Sequence, residues 1–228
     1  MGELVQFPSN GHTCSGHLAL PEAGTGPGLI VIQEWWGLVP HIEQVVDRFA
    51  AAGFVAIAPD LFHGESTTEP DEAGKLMMAL NMEQAAKDMS GAVDYLRSHD
   101  AVTSERLGVT GFCMGGGLAL MLATQRPDAI GACVPFYGLI PWPNAEPEWS
   151  KLDAAVLGHF AEKDEFFGPE QVRKLEDQLR SHGKSVELII HPDVEHAFFN
   201  DHRPEVHEPD TSRRAFDRTV EFLHDNVR

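Results

Sequence analysis

The segment Gly111-Phe112-Cys113-Met114-Gly115-Gly116 sets a cysteine among small residues, where a β-rich apolar run (107–112) meets a helical one (114–124). Glycine–x–nucleophile–x–glycine suits a side chain held on a sharp strand-to-helix turn, where a Cβ on either flank would collide with backbone. The helix that follows turns its amino end toward the sulfur and favours a thiolate and developing negative charge. The amide of Met114 is positioned to donate to an oxyanion. A cysteine nucleophile needs a base, and the base needs an acid to orient it. Two later strand ends supply them in the order nucleophile, acid, base: Asp164 follows the run 155–160, and His196 follows 186–191. His196 would take the Cys113 proton and Asp164 would hold the imidazole in the required tautomer.

Twelve histidines make a chance match easy, so the rivals count. His191 ends a strand, and His202 and His207 follow in an acidic loop. The group His191, Asp193, His196, Asp201, His202 and His207 has no H-E-x-x-H or paired-cysteine spacing, and it reads as a solvated loop without a metal. Cys133 lies mid-strand and Cys14 near the amino end; both read as packing residues.

The elements that position these residues alternate along the chain. Strands are expected at 28–33, 54–58, 107–112, 132–137, 155–160 and 186–191, and helices at 41–52, 72–99 (with a break near Asn81 or Gly91), 114–124, 169–182 and 211–227. Residues 4–7 and 14–20 suit an antiparallel edge. The alternation predicts a single α/β domain over 1–228, a mostly parallel central sheet with helices on both faces, and a site beyond the carboxyl ends of the strands.

With 17 Lys and Arg against 35 Asp and Glu, the formal charge of −18 repels phosphate backbones and anionic headgroups, which excludes nucleic acid and membrane surfaces as partners. No basic stretch leads into an apolar core at the amino end, and no apolar run approaches the ~18–20 residues a membrane span needs. Three cysteines without a C-x-x-C pair fit a reducing cytoplasm. A monomer or weak homo-oligomer is expected.

The elbow at 111–116, with Asp164, His196, the stretch Gln33-Glu34-Trp35-Trp36-Gly37 and Ala58-Pro59-Asp60-Leu61, resembles the dienelactone hydrolase (carboxymethylenebutenolidase) family of the α/β-hydrolase fold, from about residue 12 to the last helix. The resemblance implies hydrolysis of a lactone or ester through the cysteine, without a cofactor. It also implies that Glu34 contacts the resting Cys113 thiol and helps form the thiolate, and that the Trp35 amide is a second oxyanion donor beside Met114. Members acting on dienelactones hold the substrate carboxylate with two arginines; here the matching regions read Glu69-Pro70-Asp71-Glu72-Ala73-Gly74-Lys75 and Ala197-Phe198-Phe199-Asn200-Asp201, with Arg203 farther along. Without a bidentate clamp, a carboxylate-bearing lactone would bind weakly.

A cysteine acyl-enzyme suits activated esters, enol-lactones and thioesters, because an amide's poor leaving group sends the intermediate backwards. Trp36, Tyr137 and Phe198, with Trp35, Phe136, Trp142 and Phe199, lie near or after strand ends and suit an apolar cleft for a small-molecule ester or lactone. Trp149 and residues 141–147 suit a loop over it. Three alternatives stay open: a broad short-chain carboxylesterase or thioesterase for neutral substrates, a non-catalytic ligand-binding or redox-sensing α/β protein using Cys113, and a metal-dependent hydrolase using the histidine-rich loop.

Overall fold

The apolar runs become strands buried on both faces because helices cover the sheet from either side. The computed structural model describes residues 2–9, 11–140, 142 and 145–228. Among the described residues, eight strands form one sheet: β1 (Glu3–Ser9), β2 (His12–Ala19), β3 (Gly28–Ile32), β4 (Val55–Pro59), β5 (Leu107–Phe112), β6 (Ile130–Phe136), β7 (Ala155–Ala161) and β8 (Val186–His191). Their spatial order is β1-β2-β4-β3-β5-β6-β7-β8. From β4 to β8 all neighbours run parallel, and β1 and β2 add the antiparallel edge expected at the amino end.

Six helices connect the strands: α1 (Pro40–Ala51), α2 (Pro70–Ala79), α3 (Met82–Ser98), α4 (Met114–Gln125), α5 (Pro169–Ser181) and α6 (Pro209–Asn226). On one face, Met89, Val93 and Leu96 of α3, Leu118 and Leu122 of α4, and Val172 and Leu179 of α5 pack against Ile30, Val109 and Val156. On the other, Val45, Val46 and Phe49 of α1 and Ala215 and Leu223 of α6 cover Leu29, Val31 and Val134. No described helix is long and apolar enough to cross a membrane.

The helical stretch 72–99 is two helices, and only one of the two expected breaks occurs. Asn81 sits at the amino end of α3 and its side chain accepts from the amides of Glu83 (3.1 Å) and Gln84 (3.1 Å), a cap that starts a new helix. Gly91 lies inside α3, where a Cβ would meet the Pro8 carbonyl oxygen at 2.6 Å. Its bare backbone lets β1 press against the helix.

The parallel strands deliver four segments to one edge of the sheet. Glu34 follows β3, Cys113 follows β5, Asp164 follows β7 and His196 follows β8. These strands are close neighbours in the sheet, so residues up to 162 positions apart in the chain meet at their carboxyl ends.

Candidate active site

Cys113 takes φ 54° and ψ −121° between β5 and α4, the left-handed backbone of a tight strand-to-helix turn. The surrounding residues must be small for this turn to close. A Cβ on Gly111 would run into the Gly115 carbonyl, and one on Gly138 would run into the carbonyl of Cys113 itself. Hydrogen bonds from Cys113 N to Phe136 O (3.1 Å) and from Gly116 N to Cys113 O (2.9 Å) fix the turn to β6 and start the helix.

The structure brings Asp164 and His196 together. Asp164 Oδ2 lies 2.8 Å from His196 Nδ1, and its Oδ1 accepts from the amides of Phe166 (2.8 Å) and Phe167 (3.0 Å). Burial would raise the Asp164 carboxyl, but the bonds from His196 and the two amides prevail and hold it below the usual range. Burial likewise works against the charged His196 imidazole. The hydrogen bond to Asp164 and the nearby Cys113 overcome it and push the group up to about 10. Phe166 and Tyr137 stand edge-on to the ring at 5.0 Å and 5.2 Å and limit its rotation.

A cavity of about 270 Å³ opens onto these groups, lined by Glu34, Trp35, Trp36, Pro70, Met77, Cys113, Met114, Phe166, Phe167, His196, Ala197 and Arg203. The residues of both expected oxyanion donors, Trp35 and Met114, therefore border the sulfur's cavity. A larger hollow of about 750 Å³ between β1 and α3 has neither a cysteine nor a histidine among its lining residues, so volume alone does not locate the chemistry.

Glu34 borders the same cavity as Cys113. It is almost fully buried, its Oε2 accepts from Asn200 Nδ2 (2.7 Å) and its Oε1 from the Tyr137 hydroxyl (3.4 Å). Among the described residues no hydrogen bond joins it to the Cys113 thiol, although both side chains border that cavity.

Of the residues expected to line the cleft, Trp36 does so, and its ring pairs with Trp35 at 5.1 Å. Tyr137 and Phe198 do not. Tyr137 is fully buried behind Glu34, and burial followed by the nearby Glu34 charge pushes its phenol well above the ordinary value. Phe198 follows Ala197, whose φ of 63° turns the chain inward and seats the ring among Tyr137, His191 and α6. Phe136 and Phe199 are core residues as well. Trp149 belongs to a short 3-10 turn, Trp149–Lys151, and with Trp142 and Leu175 borders a separate hollow between α4 and α5. The expected covering loop at 141–147 falls partly outside the described residues. Met77, Phe166, Phe167, Asn200 and the cavity position of Arg203 were not foreseen.

The rival histidines are engaged elsewhere. His191 Nε2 meets His159 Nδ1 at 3.0 Å, His202 Nε2 meets Gln44 Oε1 at 3.2 Å, and His207 Nδ1 meets Phe198 O at 3.1 Å. Burial, then Asp88 and Asp60, pushes the Cys14 thiol up to about 12, and burial raises Cys133 further still. Neither offers a ready thiolate. His41, Asp201 and His202 bring potential ligand atoms within 4.8 Å of one another, and these side chains already make hydrogen bonds, His41 Nδ1 to Asp201 Oδ1 at 3.0 Å and His202 to Gln44.

Comparison with known proteins agrees with this architecture. "Protein usf" of Aquifex pyrophilus is 38% identical over 98% of each chain, and a "Putative carboxymethylenebutenolidase" of Aquifex aeolicus is 33% identical over 98% of each. The crystal structure of a "Putative Dienelactone Hydrolase" from Klebsiella pneumoniae superimposes with a TM-score of 0.88 at 25% identity, over 98% of each chain. The model of the dienelactone hydrolase family matches residues 14–227. This chain belongs to the dienelactone hydrolase family, hydrolases of lactone and ester bonds built on the α/β-hydrolase fold.

Proposed function

We propose that the protein hydrolyses a neutral lactone or activated carboxylic ester through Cys113. The observation that supports this most directly is the 2.8 Å contact between Asp164 and His196 Nδ1, which leaves Nε2 of the same ring for the sulfur that borders the cavity. Cys113 Sγ, its proton already held on His196 Nε2, attacks the carbonyl carbon, and the C=O electron pair moves onto oxygen. The amides of Met114 and Trp35 receive that oxyanion. On collapse, the C–O bond to the leaving alcohol breaks and His196 returns the proton to the departing oxygen. Water, deprotonated by His196, then cleaves the thioester and restores the thiol.

The cavity's character supports a neutral substrate. Trp35, Trp36, Met77, Phe166 and Phe167 make most of its wall apolar. Arg203, a cation on that wall, is tied through Nε to Glu205 at 2.8 Å. Glu34 adds a carboxylate within hydrogen-bonding reach of Tyr137 and Asn200. Among the described residues lining the cavity no guanidinium pair is available to grip a substrate carboxylate. The test is turnover of p-nitrophenyl acetate by wild type and by Cys113→Ala. Loss of turnover in the variant is expected; full activity there would remove Cys113 from the reaction.

A further inference from the structure

Phe166 presents an exposed aromatic ring at the cavity that Cys113 borders. Leu4, Leu20, Met78 and Phe166 are the large apolar side chains left exposed among the described residues, and of these only Phe166 lines that cavity. Its ring is 61% exposed, yet its place is fixed. The Phe166 amide donates to Asp164 Oδ1 at 2.8 Å, and the ring stands edge-on to His196 at 5.0 Å. Asp164 thus holds both the imidazole and the backbone that carries this ring. The cavity, at about 270 Å³, is smaller than the ~300–1,000 Å³ of ordinary small-molecule sites. A substrate of ordinary size does not fit inside whole, and one end of it meets the rim.

Proton transfer decides which end that is. His196 hands its proton to the departing oxygen, so the leaving alcohol lies on the imidazole side of the reacting carbon. Of the other rings beside His196, Tyr137 is fully buried and Phe167 stands farther off, at 6.3 Å. We infer that Phe166 is a specificity-determining residue that binds the apolar leaving group, so that the preferred substrates are esters of phenols and other flat, apolar alcohols. This rests on the proposed hydrolysis by Cys113. A flat leaving group laid on the exposed ring takes apolar surface of both partners out of water and adds a ring–ring contact. The alcohol has departed before the acyl-enzyme is hydrolysed. The effect of Phe166 therefore belongs to kcat/KM, which reads the steps up to that departure.

The experiment measures kcat/KM for phenyl acetate, 2-naphthyl acetate and phenyl butyrate in wild type, Phe166→Ala and Phe166→Leu, with a thermal melt for each. The two acetates differ only in the leaving group, and phenyl butyrate differs from phenyl acetate only in the acyl group. Wild type is expected to favour 2-naphthyl over phenyl acetate by about five- to tenfold. Phe166→Ala should bring that ratio to within about twofold of unity, with Phe166→Leu between the two. The butyrate-to-acetate ratio should stay within about twofold of wild type in both variants. A naphthyl preference absent from wild type, surviving Phe166→Ala, or lost together with an equal change in the acyl ratio would overturn the assignment and leave the hydrolytic reading intact. Failure of that reading would look different, as wild type inert toward all three esters or Cys113→Ala fully active.

Discussion

His159 Nδ1 lies 3.0 Å from His191 Nε2, and the two stacked rings are sealed beneath the loop that presents His196. Thr219 Oγ1 meets the other nitrogen of His159 at 3.2 Å, so both ring nitrogens have partners. Burial, then the neighbouring His191 and Arg218, depresses His159 to about 3. Burial and Arg214 depress His191 to about 4. In the unfolded chain both titrate near 6.5. Folded values below unfolded ones mean that stability is full above about pH 6.5 and is lost as the pH falls from there through about 4. The slope is about 1.4 kcal/mol per pH unit for each ring that stays neutral while its unfolded counterpart is protonated. The melting temperature should therefore drop between pH 7 and 5, and drop less in a His159→Asn, His191→Asn double variant. Equal slopes in the two proteins would assign the acid lability to other groups.

Asp164 makes the opposite prediction for alkali. Its hydrogen bond helps to hold His196 at about 10, above the unfolded value near 6.5. That contribution is fully present below about pH 6.5 and is lost as the pH rises through about 10. Asp164→Asn should cut kcat by about 10³- to 10⁴-fold, because the amide holds the wrong imidazole tautomer. The gap in melting temperature between wild type and variant should also narrow on going from about pH 7 to 10.5. A variant with near wild-type kcat would mean that the imidazole is oriented by something other than this carboxylate.

Two glycines separate close packing from helix propensity. A Cβ on Gly138 would enter the Cys113 carbonyl, so Gly138→Ala must shift the turn at Cys113; we expect a loss of about 2 kcal/mol or more and a fall in kcat/KM. Gly74 lies within α2 with nothing near the site of a Cβ. Gly74→Ala should stabilise by about 0.5–1 kcal/mol, since alanine has less backbone freedom to lose. Chemical denaturation of both variants checks the pair, and a stabilised Gly138→Ala would contradict the crowding at the elbow.

Sequence alone exposes the elements whose signals are local. β5 and β8 span the residues their apolar runs predict, and Cys113, Asp164 and His196 stand out because each lies within a few residues of a strand's carboxyl end. Asn81 and Gly91 looked equally able to break a helix. The decision rests on a side-chain cap at one and on the Pro8 carbonyl packed against the other, and that tertiary contact leaves no periodic trace. The cavity wall was harder to read for the same reason. Phe198 and Arg203 lie on a loop whose direction depends on left-handed turns at Asp193 and Ala197, so nearness to His196 in sequence did not place Phe198 at the cavity. The role of Glu34 as partner of the thiol came from resemblance, and the side chain's own neighbours, Asn200 and Tyr137, give it other partners.

Arg203 decides how the cavity treats charge. Its guanidinium reaches the cavity wall 5.8 Å from the Trp36 ring, while Glu205 holds Nε at 2.8 Å. Both side chains are partly exposed, at 34% and 58%, so their pairing is modest in strength and open to screening by salt. Glu205→Gln would release the cation toward the cavity without altering the apolar wall. We expect kcat/KM for an ester carrying a carboxylate, such as p-nitrophenyl hemisuccinate, to rise about three- to tenfold relative to p-nitrophenyl acetate, with the gain shrinking in about 0.5 M salt. Arg203→Gln should move the ratio the other way. If neither substitution changes the ratio, the guanidinium does not meet the substrate, and preference for neutral esters must come from Glu34 and the aromatic wall alone.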